Sequence, residues 1–460
     1  MVTGVFGLFG EREWAARLVP IGCSLVSALL LWAFAYRCVG ARVATLSLAI
    51  FVLLPMHLYY GRMVNHEPAA LPWMLAVLVC LHFADEKDGA RWLIGALVYF
   101  ALAMSTTWHA YILAVIVGSS LLRGRHRPQT RTGWAVLATA GASATLFLVY
   151  ARLVSANAFD DLWQAFAFRL GPRQGEAMSD FTWLQWFARQ RQFLGGDLSP
   201  LAWALGVVGA IWAMGRRANG PGWRWFIWAA LSFFLMAVTY VVGWRQASCI
   251  HEYAGFYFTV PVALMGGVAL DELWRWNGGA GQRTGWRLAG AGTALAILVL
   301  LGASGYARTR ALHAMQYHVL DWSVPEPANL IPALGRLIRR TFPEGTVVIC
   351  NFGLQGPQLA YYADRSLIYD GNTYRDWEPL ISRNREGVGG VIWLAAPGAE
   401  MFVAALPPGT SLSVRFDGQP FCLWSSIEGT GPGVTFGVPP TKSLSQNPRC
   451  AISKIGAGNV

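Results

Sequence analysis

The sequence predicts a polytopic α-helical membrane bundle of about ten transmembrane helices, followed by a small α/β domain outside the membrane. Three observations carry this. Of 460 residues, 55% are hydrophobic and only 13% charged, against about 25% charged in an average globular chain; too few polar groups remain to cover a water-soluble surface. Apolar runs long enough to cross a bilayer recur through the first two thirds of the chain. Near Tyr306 the composition shifts to that of a soluble domain. The organisation read from this is a membrane domain over 1–305, an extracytoplasmic α/β domain over 306–428, and a flexible tail over 429–460 rich in Gly, Pro and Ser.

A spanning helix takes roughly 17–25 mostly apolar residues. The candidates are 18–36, 43–60, 68–84, 92–106, 109–122, 134–151, 200–214, 223–242, 253–274 and 288–305. The fourth and fifth are short and separated only by Thr107 and Trp108, so they read as a helical hairpin whose tip reaches the interface. Pro55, Pro68, Pro72, Pro200 and Pro261 fall near helix ends, where a missing N–H costs least.

Orientation follows from the basic residues in the connecting loops. Loops 37–42, 85–91, 123–131, 215–224 and 275–287 hold 14 Lys and Arg in 45 positions. The opposite short loops, 61–67, 105–108 and 243–252, hold only Arg62 and Arg245 in 21. The first set is therefore cytoplasmic. The stretch 55–67, the loop 152–199 and everything after 305 are expected outside, as in a multi-pass protein of the cytoplasmic (inner) membrane. The net charge of +11 is spread over these short loops rather than gathered on one solvated face, which excludes nucleic acid as a partner. Residues 1–17 also fall outside with no helix to carry them across, so the sequence is read as starting late. No secretory signal opens it.

The loop 152–199 is too long for a passive connection. Its pieces 161–168 and 181–187 place aromatic residues at helical spacing, as in Trp-rich helices lying in the membrane interface; a lid packed on the bundle is the alternative. Beyond 306, helices are expected over 329–341, 357–363, 377–383 and 399–405. Strands are expected over 346–350, 366–369, 390–394, 411–416 and 421–425. That alternation argues for a largely parallel sheet. Neither a GxGxxG nor a P-loop supplies a nucleotide site. Cys249, Cys350, Cys422 and Cys450 lie in segments read as outside, and a disulfide among them is left open.

Polar groups where helices meet the membrane surface cost desolvation energy and are rarely idle. Arg62, His66 and Glu67 form the first such group, with 62 and 66 on one helical face. Arg62 suits bidentate binding of a phosphate; Glu67 suits a general base, an acceptor hydroxyl or a metal. A plain alternative is an interfacial Arg, with Glu67 favoured by a helix N-terminus. The second group is Arg245, His251, Glu252 and Tyr253, of which His251 and Glu252 are the candidate divalent-metal pair. The third is Thr106-Thr107-Trp108-His109 at the hairpin tip. All three fall on the same side of the membrane. Transport is disfavoured, because the interiors of the spans hold almost no Asp, Glu, Lys or Arg.

The run from Phe9-Gly10-Glu11 through Trp14-Ala15-Ala16-Arg17-Leu18, a long helix, a basic turn, a second helix and Pro55-x-x-x-Tyr59-Tyr60-x-Arg62-Met63 resembles the polytopic GT-C glycosyltransferases. The branch it is most similar to holds the protein O-mannosyltransferases and lipid A aminoarabinose transferases. His251-Glu252-Tyr253 followed by Pro261 resembles their late outer loop. The resemblance implies transfer of a sugar from a polyprenyl-phosphate carrier to an extracytoplasmic acceptor (a protein hydroxyl, lipid or glycan), with inversion. It also implies Glu67 and His66 as catalytic candidates, Glu67 matching an acidic position after the Tyr-x-Arg element, where Asp is commoner. Arg62, Arg245 and Tyr253 are implied at the carrier phosphate, and His251 and Glu252 at the site wall or on a metal. The family's first helix and acidic outer loop, which supplies the base, are missing from this reading. A catalytically inactive scaffold or carrier-lipid binder of envelope assembly is therefore the alternative function.

Overall fold

A computed structural model describes most of residues 2–317 and, beyond them, residues 325–327, 335–336, 338–340, 344, 347–350, 362–364, 366–368, 388–394, 410–416 and 419–425. Before residue 317, residues 11–12, 88, 124–126, 171–181, 217–219 and 276–283 are not described. The chain divides into two compact units, Met1–Ala311 and Leu312–Val460.

The first unit is built of helices: α1 (Val2–Phe9), α2 (Glu13–Val39), α3 (Ala41–Leu53), α4 (Pro55–Tyr60), α5 (His66–Lys87), α6 (Ala90–Met104), α7 (His109–Leu122) and α8 (Arg127–Val154). They continue as α9 (Ala158–Leu170), α10 (Trp183–Asp197), α11 (Pro200–Arg216), α12 (Pro221–Gly243), α13 (Arg245–Ile250), a 3₁₀ turn (Glu252–Phe258), α14 (Thr259–Arg275) and α15 (Thr284–Ala314). The apolar stretches expected to span are mostly helical, though not all as one continuous helix. By length and composition, six described helices are able to cross a bilayer: Trp14–Val39, His66–Asp85, Gln129–Val154, Pro221–Gly243, Glu252–Arg275 and Leu288–Leu312. A seventh counts if α10 and α11, bent by 90°, act together. The remaining apolar helices, α3, α6 and α7, have 13 to 15 residues, short of the roughly 17 a span needs. The expected run 43–60 is broken at Leu54, whose backbone is extended (φ −64°, ψ 129°) ahead of Pro55. Proline disfavours helix in the residue before it, and this is the local cause of the break.

The core runs along α14, of whose span 94% is buried, against 11% for α8, whose apolar surface faces outward. Close helix crossings use glycine. A Cβ at Gly209 of α11 would overlap the Met265 carbonyl of α14, and one at Gly267 would overlap the Ser47 hydroxyl of α3. Such small residues let helix backbones approach where no water-driven burial helps. At the ends expected to be cytoplasmic, Asp271 is held by Arg275 at 2.9 Å and Arg42 at 3.6 Å, and Arg216 pairs with Glu272. Cys23, Cys80 and Cys249 are free thiols.

In the second unit, β1 (Met315–Tyr317) and β2 (Pro325–Pro327) pair antiparallel. β3 (Val347–Cys350), β4 (Ser366–Ile368), β5 (Val388–Leu394), β6 (Thr410–Phe416) and β7 (Gln419–Ser425) form a sheet in the order β4-β3-β5-β7-β6. Two pairings are parallel (β3 with β4 and β5) and two antiparallel (β7 with β5 and β6), so the sheet is mixed rather than largely parallel. Only two residues separate β6 from β7, and Phe416 lies opposite Gln419, so these two strands turn back on each other and run antiparallel. The helices expected at 329–341, 357–363, 377–383 and 399–405 lie largely or wholly outside the described residues, as does the tail 429–460.

Candidate functional site

The site is built where α4, the start of α5, the 3₁₀ turn and the end of α10 come together. Pro55 opens α4 with no N–H to lose, and α4 lasts six residues before Gly61. The Gly61 carbonyl accepts a 2.6 Å hydrogen bond from the Ser24 hydroxyl of α2. A Cβ on Gly61 would overlap the His57 carbonyl and stand 2.8 Å from that hydroxyl, so the turn needs glycine.

Tyr60 is 5% exposed and donates its hydroxyl to Glu252 Oε2 at 2.6 Å. Glu252 is itself buried at the start of the 3₁₀ turn. The Tyr253 ring lies 6.3 Å from Tyr60 and 6.4 Å from His66, and stacks at 4.9 Å on His251. At the start of α5 the Asn65 side chain accepts from the His66 N–H, and His66 Nε2 lies 2.8 Å from Glu67 Oε1. The His66 side chain is 43% exposed while that of Glu67 is fully buried. Glu67 sits in the first turn of α5, where the helix dipole favours a negative charge. Behind it, the buried Tyr257 hydroxyl is 3.5 Å from the Glu67 carbonyl. The Tyr257 ring packs 4.4 Å from His109, whose Nδ1 is 3.0 Å from the Thr107 hydroxyl. The hairpin tip is thus tied to the first polar group through Tyr257.

Two residues that sequence reasoning did not single out complete the wall. Asp197, fully buried at the end of α10, accepts from Arg308 Nε of α15 at 2.9 Å, and its Oδ2 has no hydrogen-bond partner. Arg189, Gln190, Arg191 and Gln192 make one turn of α10 strongly polar. Burial first, and then the charge of Glu252, push the Asp197 carboxyl up to about 7, against the pull of Arg308. The second is Arg17 of α2. Burial, and then the charge of Arg17, lower the Arg62 guanidinium from its ordinary value. Arg62 Nη2 is buried with no hydrogen-bond partner. In sequence, Asp197 stands only as an acid ahead of the Ser199-Pro200 helix start, and Arg308 only as a cation at the foot of an apolar helix.

The structure brings Arg62, His66, Glu67, Glu252 and Tyr253 into one region. The Arg245 guanidinium stacks 4.7 Å over Trp183 at the start of α10. Trp186 and Gln190 of α10 then clasp Ser248 of α13 through its hydroxyl and carbonyl, at 2.9 and 2.8 Å. Among the described residues no three His, Cys, Asp or Glu side chains converge to hold a metal ion. Of the expected pair, Glu252 has one oxygen taken by Tyr60 and His251 packs on Tyr253.

The family model of dolichyl-phosphate-mannose-protein mannosyltransferases matches residues 1–151. No curated protein sequence matches the chain. Among solved structures, the crystal structure of ArnT from Cupriavidus metallidurans in the apo state matches with a TM-score of 0.61 at 14% identity, over 92% of this chain and 86% of that one. The same protein bound to undecaprenyl phosphate matches with a TM-score of 0.59 at 14% identity, over 93% and 87%. The archaeal oligosaccharyltransferase AglB from Archaeoglobus fulgidus, in complex with an inhibitory peptide and a dolichol-phosphate, matches with a TM-score of 0.54 at 12% identity, over 91% of this chain and 64% of that one. The resemblance to GT-C glycosyltransferases of the mannosyltransferase and ArnT type therefore stands, at these identities as a likeness of fold. The chain is an integral, multi-pass membrane protein.

Proposed function

We propose that the protein is a glycosyltransferase that moves a sugar from a polyprenyl-phosphate carrier to an acceptor on the outer face of the cytoplasmic membrane, with inversion. The observation that carries this reading is the grouping of Arg62, His66, Glu67, Tyr60 and Glu252 at one end of the helical bundle. Buried ionisable groups in a membrane protein mark function by default. The undecaprenyl phosphate in the matching ArnT structure supports the class of carrier.

In this reading the acceptor hydroxyl oxygen attacks the anomeric carbon as the bond from that carbon to the phosphate oxygen breaks. The electron pair of that bond leaves with the carrier phosphate, whose charge Arg62 meets. The acceptor proton goes to His66, the exposed member of the pair, while the buried Glu67 holds the ring at 2.8 Å and balances the charge it gains. A single displacement inverts the anomeric centre. Glu252, fixed by Tyr60, and Tyr253 wall the sugar. No step runs through a metal.

The test is transfer of label from a radiolabelled polyprenyl-phosphate sugar by membranes containing the protein, with an envelope fraction of the source cells as acceptor. Wild type transfers, while Glu67→Gln and His66→Ala each lose at least about a hundredfold, the usual share of general acid–base catalysis. Full transfer by both variants would remove the assignment. Absence of transfer by the wild-type protein, with retained binding of the carrier, would favour the scaffold reading.

A further inference from the structure

We infer that Thr107, His109 and Tyr257 form a positioning relay that holds the start of α5, and with it the Glu67 carboxylate, in place against His66. The importance of Glu67 rests on the catalytic reading above; the relay itself does not.

The first turn of α5 is poorly supported by its own backbone. Pro72 carries no N–H, so the Pro68 carbonyl lacks the helical partner it would find four residues on. The stretch 61–65 before it is not helical. Yet Glu67 is held closely, wholly buried and 2.8 Å from His66. Part of the hold comes from outside the helix. Tyr257, buried in the 3₁₀ turn, donates its hydroxyl to the Glu67 carbonyl at 3.5 Å. A bond of that length is weak, so the other contacts of Tyr257 decide where its hydroxyl sits.

Those contacts lead to the hairpin tip. The His109 ring lies 4.4 Å from that of Tyr257 and 3.6 Å from that of Tyr240 on α12. Its Nδ1 is 3.0 Å from the Thr107 hydroxyl, while its Nε2 is buried with no hydrogen-bond partner, so Thr107 sets the rotation of the imidazole. The Thr107 side chain also meets the Tyr257 hydroxyl. Thr107 is itself anchored on both sides: its N–H donates to Ala103 of α6 at 2.9 Å, and its carbonyl accepts from Ala110 of α7 at 3.3 Å. Thr107, His109 and Tyr257 are all buried. Polar side chains enclosed in an apolar bundle cost desolvation energy that their mutual bonds offset, and a satisfied network of this kind fixes one arrangement. Here it runs from the rigid α6–α7 tip to the weakly bonded start of α5.

The experiment is hydrogen–deuterium exchange of the full chain in nanodiscs, read on peptides covering 63–76, with peptides of α11 as reference. Thr107→Val and Tyr257→Phe each keep the shape of the side chain and remove its hydroxyl. Each speeds exchange at the start of α5 by about fivefold, the share of one net hydrogen bond, and leaves α11 at the wild-type rate. Thr107→Ser, which keeps the hydroxyl, exchanges as wild type does, and His109→Phe exchanges as Thr107→Val does. In the radiolabelled transfer assay Thr107→Val lowers kcat by about tenfold with KM for the donor unchanged. It adds no further loss in a Glu67→Gln background, because it acts through that residue. If Tyr257→Phe fails to fold, the contrast of Thr107→Val with Thr107→Ser decides. Exchange at 63–76 within twofold of wild type in the hydroxyl-deletion variants would overturn the inference. So would faster exchange spread equally over α11, which marks loosened packing alone. A local change in exchange together with full transfer by Glu67→Gln would uphold the relay and count against the catalytic reading.

Discussion

Within the site, residues differ in how they meet water, and this divides their roles. His66 faces outward and Glu67 does not, although the two are adjacent and 2.8 Å apart. The exposed imidazole is placed to meet a substrate and the buried carboxylate to hold it. Tyr60 and Glu252 are both enclosed, so removing the donor leaves a carboxylate oxygen unmet. Tyr60→Phe should destabilise the bundle by about 1–3 kcal/mol, read as a lowered melting temperature in detergent, with the mutant recovering when Glu252→Gln is added. Asp197 gives a pH test. Burial pushes its carboxyl up to about 7, from an ordinary value of 3.8. The folded state therefore binds the extra proton between those limits, and this group's contribution to stability falls as pH rises through that window. Melting temperature should decline more steeply from pH 5 to pH 8 in wild type than in Asp197→Asn; equal slopes would show that Asp197 is not the titrating group.

At the scale of elements, glycines set the helix spacing and prolines set the breaks. Gly209 of α11 admits the Met265 carbonyl of α14, the most heavily buried span. Gly209→Ala should cost about 1–3 kcal/mol through forced separation of the two helices, measured by thermal unfolding, whereas Gly141→Ala on α8, where a Cβ meets nothing, should be near neutral. Much of this level is legible in sequence. The break at Leu54 follows from Pro55, and the start of α10 follows from Thr182 and Gln185, which form a reciprocal capping box. The length of α6 and α7 is set by the Thr107-Trp108 turn between them. Asp197 and Arg308 were not legible because they are 111 residues apart on different helices, and no local pattern reports such a pairing. Alternating strands and helices suggest parallel pairing, whereas two intervening residues leave β6 and β7 room only to pair antiparallel, so the sheet is mixed.

The whole molecule is expected to have a fixed sidedness across the membrane. The basic loops are expected in the cytoplasm and Arg62, His66 and Glu67 outside. In intact cells, with native cysteines replaced, Asn65→Cys should react with a membrane-impermeant maleimide and Gln129→Cys only after permeabilisation. The reverse pattern would invert the topology. Sidedness and chemistry meet in one measurement: transfer from a radiolabelled polyprenyl-phosphate sugar in proteoliposomes of known orientation, with the acceptor fraction supplied to one face at a time. The account predicts transfer only when acceptor reaches the face carrying residues 61–67, and its loss in Glu67→Gln. Transfer confined to the face of the basic loops, or undiminished without the Glu67 carboxylate, would contradict it.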